Sequence, residues 1–335
     1  MKLLVLGGTQ FVGHAVVADA LARGWEVSVA NRGTSGPARD GVRALTLDRT
    51  VPGAYDALRD QQFDVVVDTW SGRPDVVRDA ARALAGSLDR YVYVSSRSVY
   101  AWPPVPGADE SAPVVEGDPD ADATDYAQDK RGGELAAERE VGADRVICLR
   151  AGLILGPRDN VGRLPWWLRR IARGGPTLAP DRAGLGVQFV DPRDLAALAL
   201  DAAVAGRSGP VDVVSPVGHA TLGDVLGACV DVTGSDAELV WVDPDFLLAA
   251  EVEPWTELPV WLPESDEAYA LHTGDVARAL EWGMHNRPVR ESVADCWTWV
   301  QEVDAGGTVP PPREGIGMDP AKEQALLDAW AARGQ

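Results

Sequence analysis

The first 150 residues alternate between short apolar runs and alanine-rich amphipathic stretches, and few folds accept that alternation. The runs fall at 3–6, 26–30, 42–47, 64–68, 90–94 and 145–149, and the helix-like stretches at 12–23, 54–61, 74–85 and 124–141. A strand that is apolar on both faces must be covered on both faces, which calls for parallel neighbours joined by helices. Right-handed crossovers then build an α/β fold with a doubly wound parallel sheet.

After Arg150 the texture changes. Pro, Gly and Trp cluster at 156–157, 165–167 and 174–176, and the earlier rhythm resumes at 187–190, 194–203 and 211–214. A second, smaller lobe therefore interrupts the first. The expected division is a sheet domain over 1–155 completed by about 186–215, and a second lobe over 156–185 and 216–303. That lobe is mostly helical, with one strand expected at 238–242. Residues 304–335 are expected to form a Gly/Pro linker (304–317) and a terminal helix capped by Asp319, with Pro320 in its first turn.

The net charge of -20 repels phosphate backbones, which argues against a nucleic-acid partner. Cys148, Cys229 and Cys296 are scattered, as are the four histidines, so neither a disulfide framework nor a metal site is expected. The apolar start, Met1 to Leu6, is too short for a signal peptide or a membrane span, and the expected location is cytoplasmic.

Two local patterns carry chemistry. The first apolar run ends in Leu6-Gly-Gly-Thr-Gln-Phe-Val-Gly13 and leads into a helix. Glycines at such a turn let backbone amides approach a pyrophosphate at the helix N-terminus. Gly7, Thr9, Gln10, Phe11 and Val12 are the expected cofactor contacts there, although Gln10 stands where the usual pattern has its middle glycine. The second run leads to Asn31-Arg32, where an acidic residue would bind a ribose diol and repel a 2′-phosphate. Asn31 lifts that repulsion and Arg32 can pair with the phosphate, so NADP is expected in preference to NAD. Asp48, after the third run, is a candidate acceptor for the adenine amine.

The second pattern concerns lysine. The chain has three, Lys2, Lys130 and Lys322, against 28 arginines. One of them closes Tyr126-Ala-Gln-Asp-Lys130, an arrangement that arises by chance in roughly one such chain in twenty. Residues four apart share a helix face. An ammonium beside a phenol favours phenolate, so Tyr126 can serve as general acid or base. Ser96, after the fifth run, can donate a hydrogen bond to the same substrate oxygen. Gly132-Gly133 in this helix lowers its propensity by about 2 kcal/mol and implies a close approach by another group.

Together with Ser95-Ser-Arg-Ser-Val-Tyr100, Leu149-Arg150…Gly156-Pro-Arg-Asp159 and Gln188-Phe-Val-Asp-Pro-Arg-Asp-Leu195, these patterns resemble the extended short-chain dehydrogenase/reductase family, also called the NAD-dependent epimerase/dehydratase family. The resemblance covers most of residues 1–300. It implies a Rossmann domain with a smaller C-terminal substrate-binding lobe, and a homodimer through the helices at 74–85 and 124–141. It also implies catalytic Ser96, Tyr126 and Lys130. The implied cofactor contacts are the glycine turn, Asn31, Arg32, Asp48, Arg49, Thr69, Trp70, Ser95, Tyr126, Lys130, Ala151 and Leu153.

Departures from the family pattern narrow the chemistry. Sugar dehydratases of this family carry an Asp-Glu pair where this chain has Arg97 and Ser98. Two positions that contact a nucleotide diphosphate in relatives hold Leu153 and Val187. The expected activity is therefore reduction of a carbonyl, or oxidation of an alcohol, on a small organic substrate that is not a nucleotide sugar. A sugar epimerase that holds its cofactor tightly is the alternative, and a non-catalytic cofactor sensor or RNA-associated protein a third reading. Trp102, just after the Ser96 loop, and Trp166 and Trp167, which follow the loop from Gly156 to Pro165 taken to line the pocket, are the expected substrate contacts.

Overall fold

The computed structural model describes residues 1–34, 36, 39–122, 124–306, 313 and 315–333. In chain order the strands are β1 (Lys2–Leu6), β2 (Glu26–Asn31), β3 (Val42–Thr46), β4 (Phe63–Asp68), β5 (Leu88–Ser96), β6 (Val146–Ala151), β7 (Pro176–Pro180), β8 (Gly186–Val187), β9 (Gly209–Val213), β10 (Ala220–Thr221) and β11 (Glu238–Val242). The helices are α1 (Phe11–Ala22), α2 (Pro74–Leu84), α3 (Tyr126–Val141), α4 (Arg163–Ala172), α5 (Pro192–Val204), α6 (Leu222–Thr233), α7 (Pro244–Ala249), α8 (Ala277–Glu281), α9 (Val289–Asp304) and α10 (Pro320–Arg333).

The chain divides into two compact units, one from Met1–Gly152, Pro192–Val214 and Gly274–Asn286, the other from Leu153–Asp191, Ser215–Thr273 and Arg287–Gln335. Residues 153–155, expected in the sheet domain, fall in the second unit. Residues 186–191 belong to the second unit. Residues 274–286, with α8, return to the first, where the Arg278 guanidinium donates to the carbonyl of Pro210 on β9 at 2.7 Å.

The first unit is a seven-stranded sheet in the order β3-β2-β1-β4-β5-β6-β9, parallel throughout. Strand order reverses between β1 and β4, so a crevice opens at their carboxyl ends, where ligands bind in such sheets. Leu4, Leu6, Val66, Tyr91 and Tyr93 from one face of the sheet pack with Val77, Ala81 and Leu84 of α2 and Ala136 and Ala137 of α3. Asp125 starts α3 by accepting the Gln128 N–H at 2.9 Å, and the helix ends at Gly142, whose φ of +102° favours glycine.

The Gly132-Gly133 pair finds its reason here. A Cβ at Gly132 would lie 2.5 Å from Cγ of Pro74 and 2.6 Å from the Asp118 carbonyl, and one at Gly133 would lie 2.5 Å from the Tyr93 hydroxyl. Both glycines let α3 close onto α2 and onto β5.

The second unit holds the parallel pair β7–β11 and the short antiparallel pair β8–β10. Its core joins Trp167 and Leu168 of α4, Leu178 of β7, Leu226 and Cys229 of α6, Trp261, Val293 and Cys296. Helix α10 closes this core: the buried Glu323 accepts from Arg170 at 2.5 Å and from the Leu178 N–H at 3.1 Å, and Trp330 meets Phe246 with ring centroids 5.2 Å apart.

Several expected elements differ. The helix at 54–61 is one 3₁₀ turn, Asp56–Leu58. Gly53 at φ +77° precedes it and β4 begins at Phe63. The strand at 187–190 shrinks to β8 and an isolated bridge between Ile154 and Val190. Strand β7, flanked by prolines, was not expected. Half of the 304–317 linker, namely 307–312 and 314, lies outside the described residues. Among the described residues no helix is long and apolar enough to cross a membrane, and no cluster of potential metal ligands occurs.

Gly132→Ala should lower stability by about 1–3 kcal/mol, because neither Pro74 nor the Asp118 backbone can yield without moving α2 or the preceding loop. Urea unfolding of the variant against the parent measures it, and an unchanged midpoint would contradict the packing described.

Candidate active site

The site starts from the glycine turn at the end of β1. Gly7 and Gly8 adopt φ of +123° and +90°, open to glycine and strained for other residues. A Cβ on Gly7 would meet the Thr69 hydroxyl at 2.3 Å, and one on Gly13 would meet the Gly8 nitrogen at 2.7 Å. The turn and the first turn of α1 are therefore in backbone contact. No side chain caps α1 and its first turn holds no acidic residue, so its N-terminal amides suit an anion. This cradle fits a dinucleotide pyrophosphate. Thr9, Gln10 and Phe11 line the turn, Phe11 at φ +36°, while the Val12 side chain is buried and can offer only its backbone.

Asn31 holds the turn from the side: its Nδ2 donates to the Gly7 carbonyl at 2.9 Å, and its Oδ1 accepts from the Gly33 N–H at 2.8 Å. Asn31, an expected cofactor contact, is thus a brace for the loop through both ends of its amide. Arg32 is exposed. Asp48 is half-buried; hydrogen bonds from the Thr50 hydroxyl and N–H, with nearby Arg32, hold its carboxyl below the usual range. Thr69 donates to the Leu6 carbonyl at 3.0 Å and so fastens the turn to the end of β4.

Arg49 requires a larger correction. Its Nη1 and Nη2 pair with the two oxygens of Asp68 at 2.6 and 2.7 Å, Nε donates to the Tyr55 hydroxyl at 2.9 Å, and the guanidinium lies 5.1 Å from the Trp70 ring centroid. This arginine is buried in the protein's own network instead of facing a ligand. Asp68, fully buried at the end of β4, also accepts from the Tyr91 hydroxyl at 2.5 Å and the Trp70 N–H at 2.9 Å. Burial alone would raise its carboxyl; Arg49 and these hydrogen bonds more than offset that and hold it low. The sequence signal for Asp68, a carboxylate closing an apolar run, was visible but carried no expectation of a role.

On α3, Tyr126 is the first residue and 49% exposed, whereas Lys130 is only 3% exposed. Lys130 Nζ donates to the carbonyls of Trp70 at 2.6 Å and Val94 at 2.7 Å, and lies 4.9 Å from the Tyr93 ring centroid. Burial pushes the ammonium down to about 8, opposed by Asp68, Glu134 and Asp129. Ser96, closing β5, donates to the Ser98 hydroxyl and accepts from the Ser98 N–H, each at 3.1 Å.

Ser95, expected at the cofactor, turns its hydroxyl toward α3 and donates to Glu134 at 2.7 Å. Glu134 also accepts two bonds from Arg150, at 2.9 and 3.0 Å, and one from Arg131 at 2.8 Å. This carboxylate, four residues past Lys130, ties α3 to β5 and β6 and was not singled out from the sequence. Arg97, at the place of a dehydratase carboxylate, is buried and donates to Asp212 at 3.1 Å; the Tyr100 hydroxyl donates to the other Asp212 oxygen at 2.6 Å. Burial, with Glu110 adding, pushes the Asp212 carboxyl up to about 6 against Arg97 and Tyr100. Ala151 is buried at the end of β6.

The tryptophan expectations divide. Trp102 is 60% exposed, on the loop closed by the Tyr100–Val114 bridge. Trp166 and Trp167 lie on α4, past the loop that precedes it. Trp167 is fully buried, with Nε1 donating to the Pro259 carbonyl at 2.7 Å, so it is a core residue and not a substrate contact. Trp166 is half-buried, edge-on to Trp167 and against Gly317, where a Cβ would fall 2.0 Å from its Nε1. Leu153 is buried in the core of the second unit.

The model of a family described as NAD dependent epimerase/dehydratase matches residues 3–215. A 2'-dehydrokanamycin reductase of Streptomyces kanamyceticus is 34% identical over 195 residues, 54% of this chain and 52% of that protein, so this chain matches about half the length of that relative. A dTDP-6-deoxy-L-talose 4-dehydrogenase (NAD(P)(+)) of Kitasatospora kifunensis is 28% identical over 324 residues, 89% of this chain and 95% of the other. In fold, a UDP-glucuronic acid 4-epimerase of Bacillus cereus solved with NAD superposes with a TM-score of 0.63 at 15% identity, over 90% of this chain and 99% of that one.

The Asp212 carboxyl makes stability depend on pH. Between about pH 4 and pH 6 the folded protein holds a proton at Asp212 that the unfolded chain has released, so this group adds stability as pH falls through that window. Asp212→Asn should flatten that part of the curve, as read from urea midpoints at pH 7.5, 6 and 5 in both proteins. Parallel curves would contradict the assignment.

Proposed function

The chain belongs to the NAD-dependent epimerase/dehydratase family, and on that premise we propose that it is an NAD(P)-dependent oxidoreductase that reduces a ring carbonyl of a sugar-like substrate, or oxidises the matching alcohol. The observation that carries this reading is the pairing of an exposed Tyr126 with a buried Lys130 on one helix, beside Ser96 at the end of β5. Bound nicotinamide would supply or accept the hydride. Tyr126 gives a proton to the substrate oxygen in reduction and takes it back in oxidation. Ser96 donates a hydrogen bond to the same oxygen, and Lys130 keeps a positive charge close to the phenol.

The glycine turn and the α1 N-terminus hold the pyrophosphate. NADP is the preferred cofactor in this reading, supported by the lack of a carboxylate at the end of β2 and by the exposed Arg32. Asp48 beside Arg32 works against that preference, since it draws on the same cation.

For the substrate, residues 98–129 contain eight carboxylates and no lysine or arginine, and this segment leads into Tyr126. Such a flank disfavours a diphosphate and favours a neutral or amino-bearing ring. The kanamycin-series reductase among the relatives supports the same direction. The dTDP-sugar dehydrogenase, matched over nearly its whole length, supports a second reading with a nucleotide-linked sugar. Inhibition by dTDP separates the two: competition with substrate favours the second. Cofactor that survives gel filtration would instead point to an epimerase.

Tyr126→Phe should lower kcat/KM for an oxidised amino sugar with NADPH by about 10²–10⁴-fold, while NADPH binding stays nearly unchanged. Full activity in this variant would end the mechanism. Arg32→Ala should weaken NADP+ binding by about tenfold and leave NAD+ binding as it was, measured by titration. Equal losses for both cofactors would remove the case for NADP.

A further inference from the structure

We propose that Asp68 is a positioning residue for the reaction: it fixes the Trp70 backbone that receives Lys130 and supplies the buried counter-charge to Lys130, with Arg49 as its brace. Asp68 meets neither substrate nor cofactor in the reading above, and acts through Lys130.

The geometry runs through one residue. Asp68 Oδ1 accepts the Trp70 N–H at 2.9 Å, and the Trp70 carbonyl accepts Lys130 Nζ at 2.6 Å. The Trp70 indole is held as well, with Nε1 donating to the Arg73 carbonyl at 3.1 Å and the Arg49 guanidinium against its ring. The acceptor of Lys130 therefore has little freedom to turn away. A fully buried carboxylate stays ionised when a cation faces it; Arg49 does so in a two-pronged contact, and Lys130 is the second cation near it, left as its partner when Arg49 is removed.

The charges facing Lys130 come from three directions. Asp68 approaches from β4, Glu134 and Asp129 from α3 itself, and Arg49 from the loop after β3. The Tyr93 ring faces it from β5. Glu134 is already matched by Arg150 and Arg131, and Asp129 is partly exposed and accepts from the Thr124 hydroxyl at 2.5 Å. Asp68 is thus the strongest support for the ammonium, and Arg49 opposes it. Removing either partner should move Lys130 in opposite senses, which a general loosening of the fold would not do.

The inference rests on the reading of Lys130 as the residue that tunes Tyr126, but its test needs neither substrate nor cofactor. With only three lysines, protein labelled with ¹³Cε/¹⁵Nζ lysine gives three side-chain signals, assigned with Lys2→Arg and Lys322→Arg. The Lys130 signal of the unaltered protein should titrate near its shifted value of about 8. In Asp68→Asn the midpoint should fall to about pH 6–7, and in Arg49→Met it should rise above that of the parent. The double variant, which removes both members of the Arg49–Asp68 pair, should move down by less than Asp68→Asn and keeps the test open if a single variant does not fold. Midpoints that stay put, or that move the same way in both single variants, overturn the role of Asp68. Full activity of Tyr126→Phe would overturn the functional reading while leaving this titration result intact.

Discussion

A single ammonium inside the protein organises the site. Lys130 is bonded to carbonyls at the ends of two neighbouring strands, and a buried cation with fewer partners would give up its proton or its place. For Nζ to reach those carbonyls, α3 must lie close against β5 and α2, and two consecutive glycines make that approach feasible. The cost in helix propensity is small beside the cost of leaving the ammonium unsatisfied. Tyr126 inherits its place from this arrangement, one turn earlier on the same helix and open to solvent.

Around that lysine, every other buried cation that closes a strand end is an arginine with a carboxylate: Arg49 with Asp68, Arg150 with Glu134, Arg97 with Asp212. Arginine keeps its charge under burial and offers a planar fork that a carboxylate can match. Pairs of this kind add little net stability, since desolvation offsets their attraction, but they fix relative position. Here they fix the loop after β3 to β4, α3 to β5 and β6, and the turn after β5 to β9. The arginines keep their charge, while Lys130 and the Asp212 carboxyl are the members whose protonation is shifted towards neutral pH.

The doubly wound sheet was legible because its signal is local: each strand is an unbroken apolar run and each crossover carries its own helical period. The i, i+4 spacing of Tyr126 and Lys130 and the glycine turn were legible for the same reason. Less legible were arrangements that depend on partners distant in sequence. Arg49 follows Asp48 in sequence, yet its side chain turns to Asp68, a strand away. Asn31 braces a loop 24 residues earlier. Trp167 stands among Pro and Gly that suggest a loop, but a helix carries it into a core completed by the segment around Pro259 and Trp261. Strand β7 is hidden by its prolines, which are tolerated because only one of its edges pairs with another strand.

That unpaired edge of β7 is where α10 docks. The Glu323 carboxylate takes the Leu178 N–H that a neighbouring strand would otherwise use, and Arg170 holds the carboxylate in place. A side chain thereby occupies a backbone position that could template a foreign strand. Helix α10 is thus a cover against self-assembly as well as part of a core. A chain lacking it would offer β7 to the same edge of another molecule, and the first symptom would be insolubility during synthesis rather than lost chemistry.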